Sequence, residues 1–351
     1  MIIHNKFTGG NISVLKTEGN TIYVEREIRD TEGDWFYWAF CVEGAQGRTL
    51  TFKFPSENRV GWFGAAVSHD LKTWYWQDTE YCPDSFTYTF KDDEKKVYFA
   101  HDMLYLPHLF DAFCEKNSFS QKVFCITEQG NEVPFLRFGN GEKYIIATAR
   151  HHACESTGNY VLEGFTEVLK DNLPDDYSLI VIPFMDFDGV IYGDQGKNRK
   201  PYDHNRDYLD SPIYSSTKTL MDFAKSHDLK YYFDFHSPWH LRNNNDHPFF
   251  SHASESMVDT LNAFGDILAV ECNGLPLRYE KGYDVGPNER WNKETSPNSK
   301  NFMSKLDTIK FSLSTETPYF GLEGNKTTQH SLLLLGKAYG RSILRFIAQN
   351  P

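Results

Sequence analysis

At 351 residues the chain exceeds the span of an ordinary single domain, so two domains are expected. With 40% hydrophobic and 16% aromatic residues against 24% charged, it has material for large cores and no disordered tract. A formal charge of −12 without a long Lys/Arg run argues against nucleic acid as a partner, and no apolar run reaches the roughly 18 residues that a membrane span needs. The first residues lack a basic segment followed by an apolar run, and Cys41, Cys82, Cys114, Cys125, Cys154 and Cys272 show no CxxC spacing. Free thiols and a cytoplasmic location are the expectation.

Up to about residue 104 the pattern is one of short strands, at 21–25, 35–42, 50–54, 73–76, 86–90 and 97–100. Leu50-Thr-Phe-Lys-Phe54 and Phe86-Thr-Tyr-Thr-Phe90 place a large apolar residue at every second position, the period of a strand with one buried face. These strands predict an antiparallel β-sandwich over 1–106 with aromatic filling. Beyond about residue 115, longer apolar runs alternate with helix-length stretches. The strands are read at 144–148, 179–183, 231–235, 267–271 and 309–315, and the helices at 158–170, 217–227, 254–264 and 327–348. The alternation predicts an α/β domain over 107–351, with a mixed, mostly parallel sheet flanked by helices.

Chemistry gathers where those strands stop. Strand 144–148 leads into Ala149-Arg-His-His-Ala-Cys-Glu-Ser156, with His152 and Glu155 three apart at a strand-to-helix turn, and strand 231–235 delivers His236. Two histidines and a glutamate form a ligand set suited to a catalytic zinc, and the carboxyl edge of an α/β sheet is where functional groups collect. Strand 309–315 ends in Glu316, whose carboxylate would be costly to bury without a partner. Between them a locally basic loop carries Lys197, Arg199, Lys200 and Arg206. Arginine grips a carboxylate through two parallel hydrogen bonds, and Asn205 with Arg206 suits that task.

In this order the motifs resemble the zinc carboxypeptidases, specifically the cytosolic carboxypeptidase branch. Its Ala-Arg-x-His-Pro-Gly-Glu-Ser is similar to Ala149-Arg-His-His-Ala-Cys-Glu-Ser156, its Pro-Asp-Gly-Val to Phe187-Asp-Gly-Val190, and its Asp-x-Asn-Arg to Asp203-His-Asn-Arg206. Its histidine-ending strand is similar to Asp234-Phe-His236, and its Thr-Leu-Glu-Thr-like segment to Ser314-Thr-Glu-Thr317. The resemblance implies one Zn2+ per chain on His152, Glu155 and His236, with Glu316 as catalytic base. It implies that Asn205 and Arg206 receive the terminal carboxylate of a peptide or small amide, and it implies an N-terminal β-sandwich. Ala153-Cys154 replaces Pro-Gly and Asp186-Phe187 replaces Asn-Pro. The cation that polarises the scissile carbonyl is assigned to Arg199, with Lys197 as alternative, and a tyrosine closing over substrate falls near Tyr279 or Tyr283. His151, His240 and His247 read as surface or hydrogen-bonded histidines, and Cys154 as a thiol not needed once three ligands are present. Hydrolysis of a C-terminal peptide bond is the leading expectation. An amidase or deacylase acting on an N-acyl amino acid or a cell-wall peptide comes second, and a non-catalytic binding module last.

Overall fold

A computed structural model describes residues 1–240 and 243–351. The first hundred residues form two facing sheets. One orders Ile2–His4, Ala39–Glu43, Lys96–Ala100, Ala66–Ser68 and Tyr75–Trp76, and the other Ser13–Glu18, Thr21–Glu25, Thr49–Lys53 and Ser85–Thr89. Pairing is antiparallel except between Thr21–Glu25 and Thr49–Lys53. The alternating aromatic residues meet between the sheets, with Phe52 and Phe86 stacked at 5.1 Å and Trp38 on Phe86 at 5.7 Å. The strand expected over 35–42 begins only at Ala39. Upstream of it, the backbone N–H and C=O of Tyr37 bond to the side chain of Gln195 instead of to a ladder. Residues 35–37 therefore face the second half of the chain.

That half is built on a seven-stranded sheet ordered Lys122–Ile126, Glu132–Phe138, Tyr177–Ile182, Lys143–Ala149, Asp228–His236, Phe311–Glu316 and Phe249–His252. The four central strands are parallel and the outer ones antiparallel. Alternate residues serve opposite faces. Ile145, Ala147 and Phe233 pack with helices Thr157–Leu169, Val258–Glu271 and Gln329–Gln349, whereas Tyr144, Ile146 and Tyr232 join Leu220, Met221 and Met303.

Three outer strands, the edge strands Lys122–Ile126 and Phe249–His252 and the adjoining Glu132–Phe138, were not expected from the sequence, and the strand read at 267–271 is an error. Those residues complete helix Val258–Glu271, in which Leu261, Phe264 and Leu268 recur at helical spacing on the buried side. A short apolar run such as Ile267-Leu-Ala-Val270 fits a strand or a helix until its longer-range period is taken into account.

Candidate metal and catalytic site

The site lies at the carboxyl edge of the parallel strands. Their register sets Ala149 beside Phe235 and His236 beside Glu316, so three strand ends open at one level. After Ala149 the chain bends through Arg150, whose φ of +60° lies in the left-handed region. Arg150 is buried and donates to the carbonyl of Tyr105 at 2.9 Å and to Ser156 Oγ at 3.2 Å, which pins the turn.

The turn sets His152 Nδ1 at 2.9 Å from Glu155 Oε1, while His236 Nδ1 lies 2.7 Å from Glu155 Oε2. One nitrogen of each ring and the carboxylate thus fall within 4.8 Å of one another. On its far side, His236 Nε2 meets Asp234 Oδ2 at 2.8 Å. Asp234, fully buried, also accepts from Thr148 Oγ1 at 2.9 Å and from Ser299, and meets His151 Nδ1 at 2.7 Å, whose Nε2 reaches the Tyr208 hydroxyl at 2.7 Å. A carboxylate on the outer nitrogen fixes the ring and raises the donor strength of the inner one, as the carboxylate partners of metal-bound histidines do. Against burial, which disfavours charge, Asp234 and Glu155 hold His236 well above its usual range, while Lys197, His152 and His236 hold Glu155 well below its own. The donor set is that of a catalytic zinc, two imidazoles and one carboxylate open to a cavity on one side. Two other groupings lack that opening. His151, Asp234 and His236 are consumed by the hydrogen-bond chain just described, and in His4, Cys41 and Glu43 the carboxylate already pairs with Lys96 at 3.3 Å.

The cavity measures about 720 Å³. Beside the ligand set it is lined by Glu316, Asn205 and Arg206. Burial, reinforced by Glu155 and opposed by His236, raises the Glu316 carboxyl to about 7. Arg206 is braced by the carbonyl of Asn205 at 2.8 Å, and Asn205 accepts from the Ser299 N–H at 3.1 Å.

Arg199 does not line this cavity. Its guanidinium is ringed by Asp186 at 2.7 Å, Asp30 at 3.0 Å and Asp194 at 3.0 Å, and three carboxylates hold it away from any carbonyl in the site. Lys197 does line it, with Nζ 2.6 Å from Glu155 Oε1 and 4.7 Å above the ring of Trp35. Neither tyrosine singled out in the sequence reaches the cavity. Tyr279 is buried against Phe250 and donates to Asp284 at 2.7 Å, and Tyr283 stacks on His247 at 3.9 Å. His240 bonds to His101 at 2.9 Å under Phe36, and burial pushes the Cys154 thiol up to about 12, leaving it inert.

Among the lining residues that the sequence reading missed are Lys300 and Trp35. Lys300 sits in the short helix Ser299–Met303, which is capped by Asn298, and is 2% exposed. Its Nζ donates to Asn292 Oδ1 at 2.6 Å and Asn301 Oδ1 at 3.3 Å, and burial lowers it to about 7. Its Asn-rich surroundings resemble a loop, and no motif marked it. Trp35 was counted with the sandwich core, yet it forms a cavity wall with Trp239, their rings 5.6 Å apart.

Known proteins share this fold. The fold is that of the metallocarboxypeptidases. A metallo-carboxypeptidase from Burkholderia cenocepacia superposes with a TM-score of 0.83 at 19% identity, covering all of both chains. The Pseudomonas aeruginosa metallo-carboxypeptidase, solved with (2-guanidinoethylmercapto)succinic acid, gives 0.81 at 18% identity over 99% of this chain and 100% of that one. Within that fold class the resemblance is to the cytosolic carboxypeptidases, since residues 3–101 match the cytosolic carboxypeptidase N-terminal domain. Cytosolic carboxypeptidase 2 of Danio rerio is 28% identical over 189 residues, 48% of this chain and 25% of the relative. An uncharacterized Zymomonas mobilis protein is 28% identical over 236 residues, 62% of each chain. The chain thus spans under two thirds of either relative's length.

Proposed function

We propose that this chain is a zinc-dependent carboxypeptidase that hydrolyses the C-terminal amide bond of a peptide. The observation that supports this best is the shared cavity, where two imidazole nitrogens and a carboxylate face a buried glutamate with a pKa near neutrality, alongside Lys197, Arg206 and Lys300. His152, Glu155 and His236 would hold one Zn2+, which when bound polarises a carbonyl and makes water nucleophilic near neutral pH. Glu316 takes the proton from the attacking water and returns it to the departing amine, a task for which a carboxyl raised toward the working pH is suited. Lys197, not Arg199, supplies the fixed positive charge beside the carbonyl oxygen. Arg206 and Asn205 receive the terminal carboxylate. Lys300 faces the cavity from a buried position and favours a C-terminal residue with an acidic side chain.

The test compares peptides ending in glutamate, leucine or lysine, each with a free or amidated terminus, with and without a chelator. The expected result is release of the terminal residue from free-carboxylate peptides only, fastest for glutamate, abolished by chelation and restored by zinc. Equal cleavage of amidated peptides would refute the carboxylate clamp. A deacylase acting on an N-acyl amino acid is the second reading, because such a molecule offers the same carboxylate and fits within 720 Å³. Faster turnover of N-acyl amino acids than of any peptide would favour it. A zinc-free protein inactive on both would point to a binding module. Six unpaired cysteines suit the reducing cytoplasm, where we place the reaction.

A further inference from the structure

Within its own domain the loop carrying Lys197 is tied at Asn198, whose N–H donates to Asp203 Oδ2 at 2.9 Å, and it crosses the ligand-bearing turn, where the Cys154 N–H donates to the Gln195 carbonyl at 3.3 Å. Gly196, at φ +71°, lies so close to that turn that an added Cβ would stand 2.1 Å from the Ala153 nitrogen. Further restraints on residues 193–199 come from the N-terminal domain. Asp30 Oδ1 accepts from the Gln195 N–H at 3.1 Å, and Oδ2 accepts from the Gly196 N–H at 2.8 Å and from Arg199 Nε at 3.0 Å. Gln195 donates to the carbonyls of Glu27 and Tyr37, and Asn11 donates to that of Gly193 at 2.7 Å. One carboxylate thus holds the residues before and after Lys197. Trp35, anchored through its carbonyl by Arg26 at 2.8 Å, lays its ring under the ammonium. A cation over an indole face is attracted to it, most strongly where water is sparse, and Lys197 is 8% exposed.

We infer that Asp30 is a positioning residue for the hydrolytic site, setting Lys197 through the 194–199 loop, and that Trp35 is the wall against which this ammonium is placed. The N-terminal domain thereby completes the active site. The inference rests on the carbonyl-polarising role proposed for Lys197.

The experiment is a double-mutant cycle on the full chain, reading kcat, KM and zinc per chain. Asp30→Asn keeps the size of the side chain but turns one acceptor into a donor facing N–H groups. It should lower kcat about 10- to 100-fold, as sub-ångström misplacement of a catalytic group does, with KM and zinc content unchanged. In a Lys197→Met background the same substitution should cost less than about twofold, because residues that act through one another are not additive. An equal loss in both backgrounds, or no loss in either, overturns the inference. A Lys197→Met enzyme as fast as the parent refutes the role of Lys197 itself and the inference with it. Should Asp30→Asn fail to fold, Trp35→Ala and Trp35→Phe replace it in the cycle. Alanine should lower kcat only while Lys197 is present, and phenylalanine, which keeps a ring face, should restore most of the rate. Equal effects of Trp35→Ala with and without Lys197 overturn the inference.

Discussion

Glu316 and Lys300 share a cavity and a pKa near neutrality, yet burial acts on them in opposite senses. It makes the carboxylate harder to form and the ammonium harder to keep. For Glu316 the consequence is catalytic. Glu316→Gln should retain zinc and substrate affinity while kcat falls about 10²- to 10⁴-fold, the range for loss of a general base. Metal content measured alongside turnover checks this, and unchanged kcat sinks the assignment. For Lys300 the consequence is a pH dependence. Its pKa in the free protein is depressed to about 7, so the ammonium is present below that value and is lost as pH rises through it. An acidic side chain entering the cavity needs the ammonium, and binding must then recruit a proton. KM for a peptide ending in glutamate should therefore climb by up to tenfold per unit above about pH 7, whereas KM for one ending in leucine should not follow. Lys300→Met should remove the difference between the two peptides. Parallel pH profiles in the parent would refute the role.

Two helices that carry no functional group control the turn that does. Thr157–Leu169 begins just after the ligand-bearing turn and crosses Gln329–Gln349 at two glycines. A Cβ on Gly164 would stand 2.1 Å from the Leu333 carbonyl oxygen, and one on Gly336 would stand 2.0 Å from that of Val161. Backbones this close leave no room for a methyl group. Gly336→Ala should thus force the helices apart and cost roughly 1–3 kcal/mol, as overpacking does, despite alanine's better helix propensity. A thermal melt checks it, and an unchanged or raised midpoint would contradict the close crossing.

At this scale the sequence was most legible where a regular strand ends in a functional group. His152, Glu155, His236 and Glu316 follow long apolar runs whose period is local, and the structure brings all four to one cavity. Arg199 was misread because two of the three carboxylates around it come from other elements, Asp30 lying 169 positions away and Asp186 capping helix Phe187–Tyr192. Ion pairs of that kind leave no trace in local pattern. Lys300 was missed for the same reason, since only the folded chain shows that a lysine in a polar stretch is buried. Helix Val258–Glu271 was split because its last turn, taken alone, has the composition of a strand.

Across the whole molecule, the two domains do not own separate interiors. Phe36, Tyr37, Phe63 and Trp76 of the first hundred residues belong to the same packed cluster as Phe165, Phe235 and Tyr339. The seam is polar as well as apolar. The Tyr37 N–H donates to Gln195 Oε1 at 2.9 Å, Trp76 donates to the Thr327 carbonyl at 2.7 Å, and His101 bonds to His240 at 2.9 Å. Asp102, fully buried at the junction, is raised to about 7 by desolvation, with Arg150 of the ligand turn drawing it back. Taking away the first domain would uncover the aromatic residues and leave Asp186, Asp194 and Arg199 without Asp30, so the loop carrying Lys197 would lose its frame. A chain of residues 107–351 should accordingly keep helical far-UV dichroism but lose near-UV signal, bind a hydrophobic dye and show no hydrolysis, the profile of a compact state without fixed packing. Mixing it with the separate segment 1–106 should recover activity only if the seam reforms. A cooperative melt and full turnover from residues 107–351 alone would mean that the catalytic half is self-sufficient and that the shared core contributes stability only.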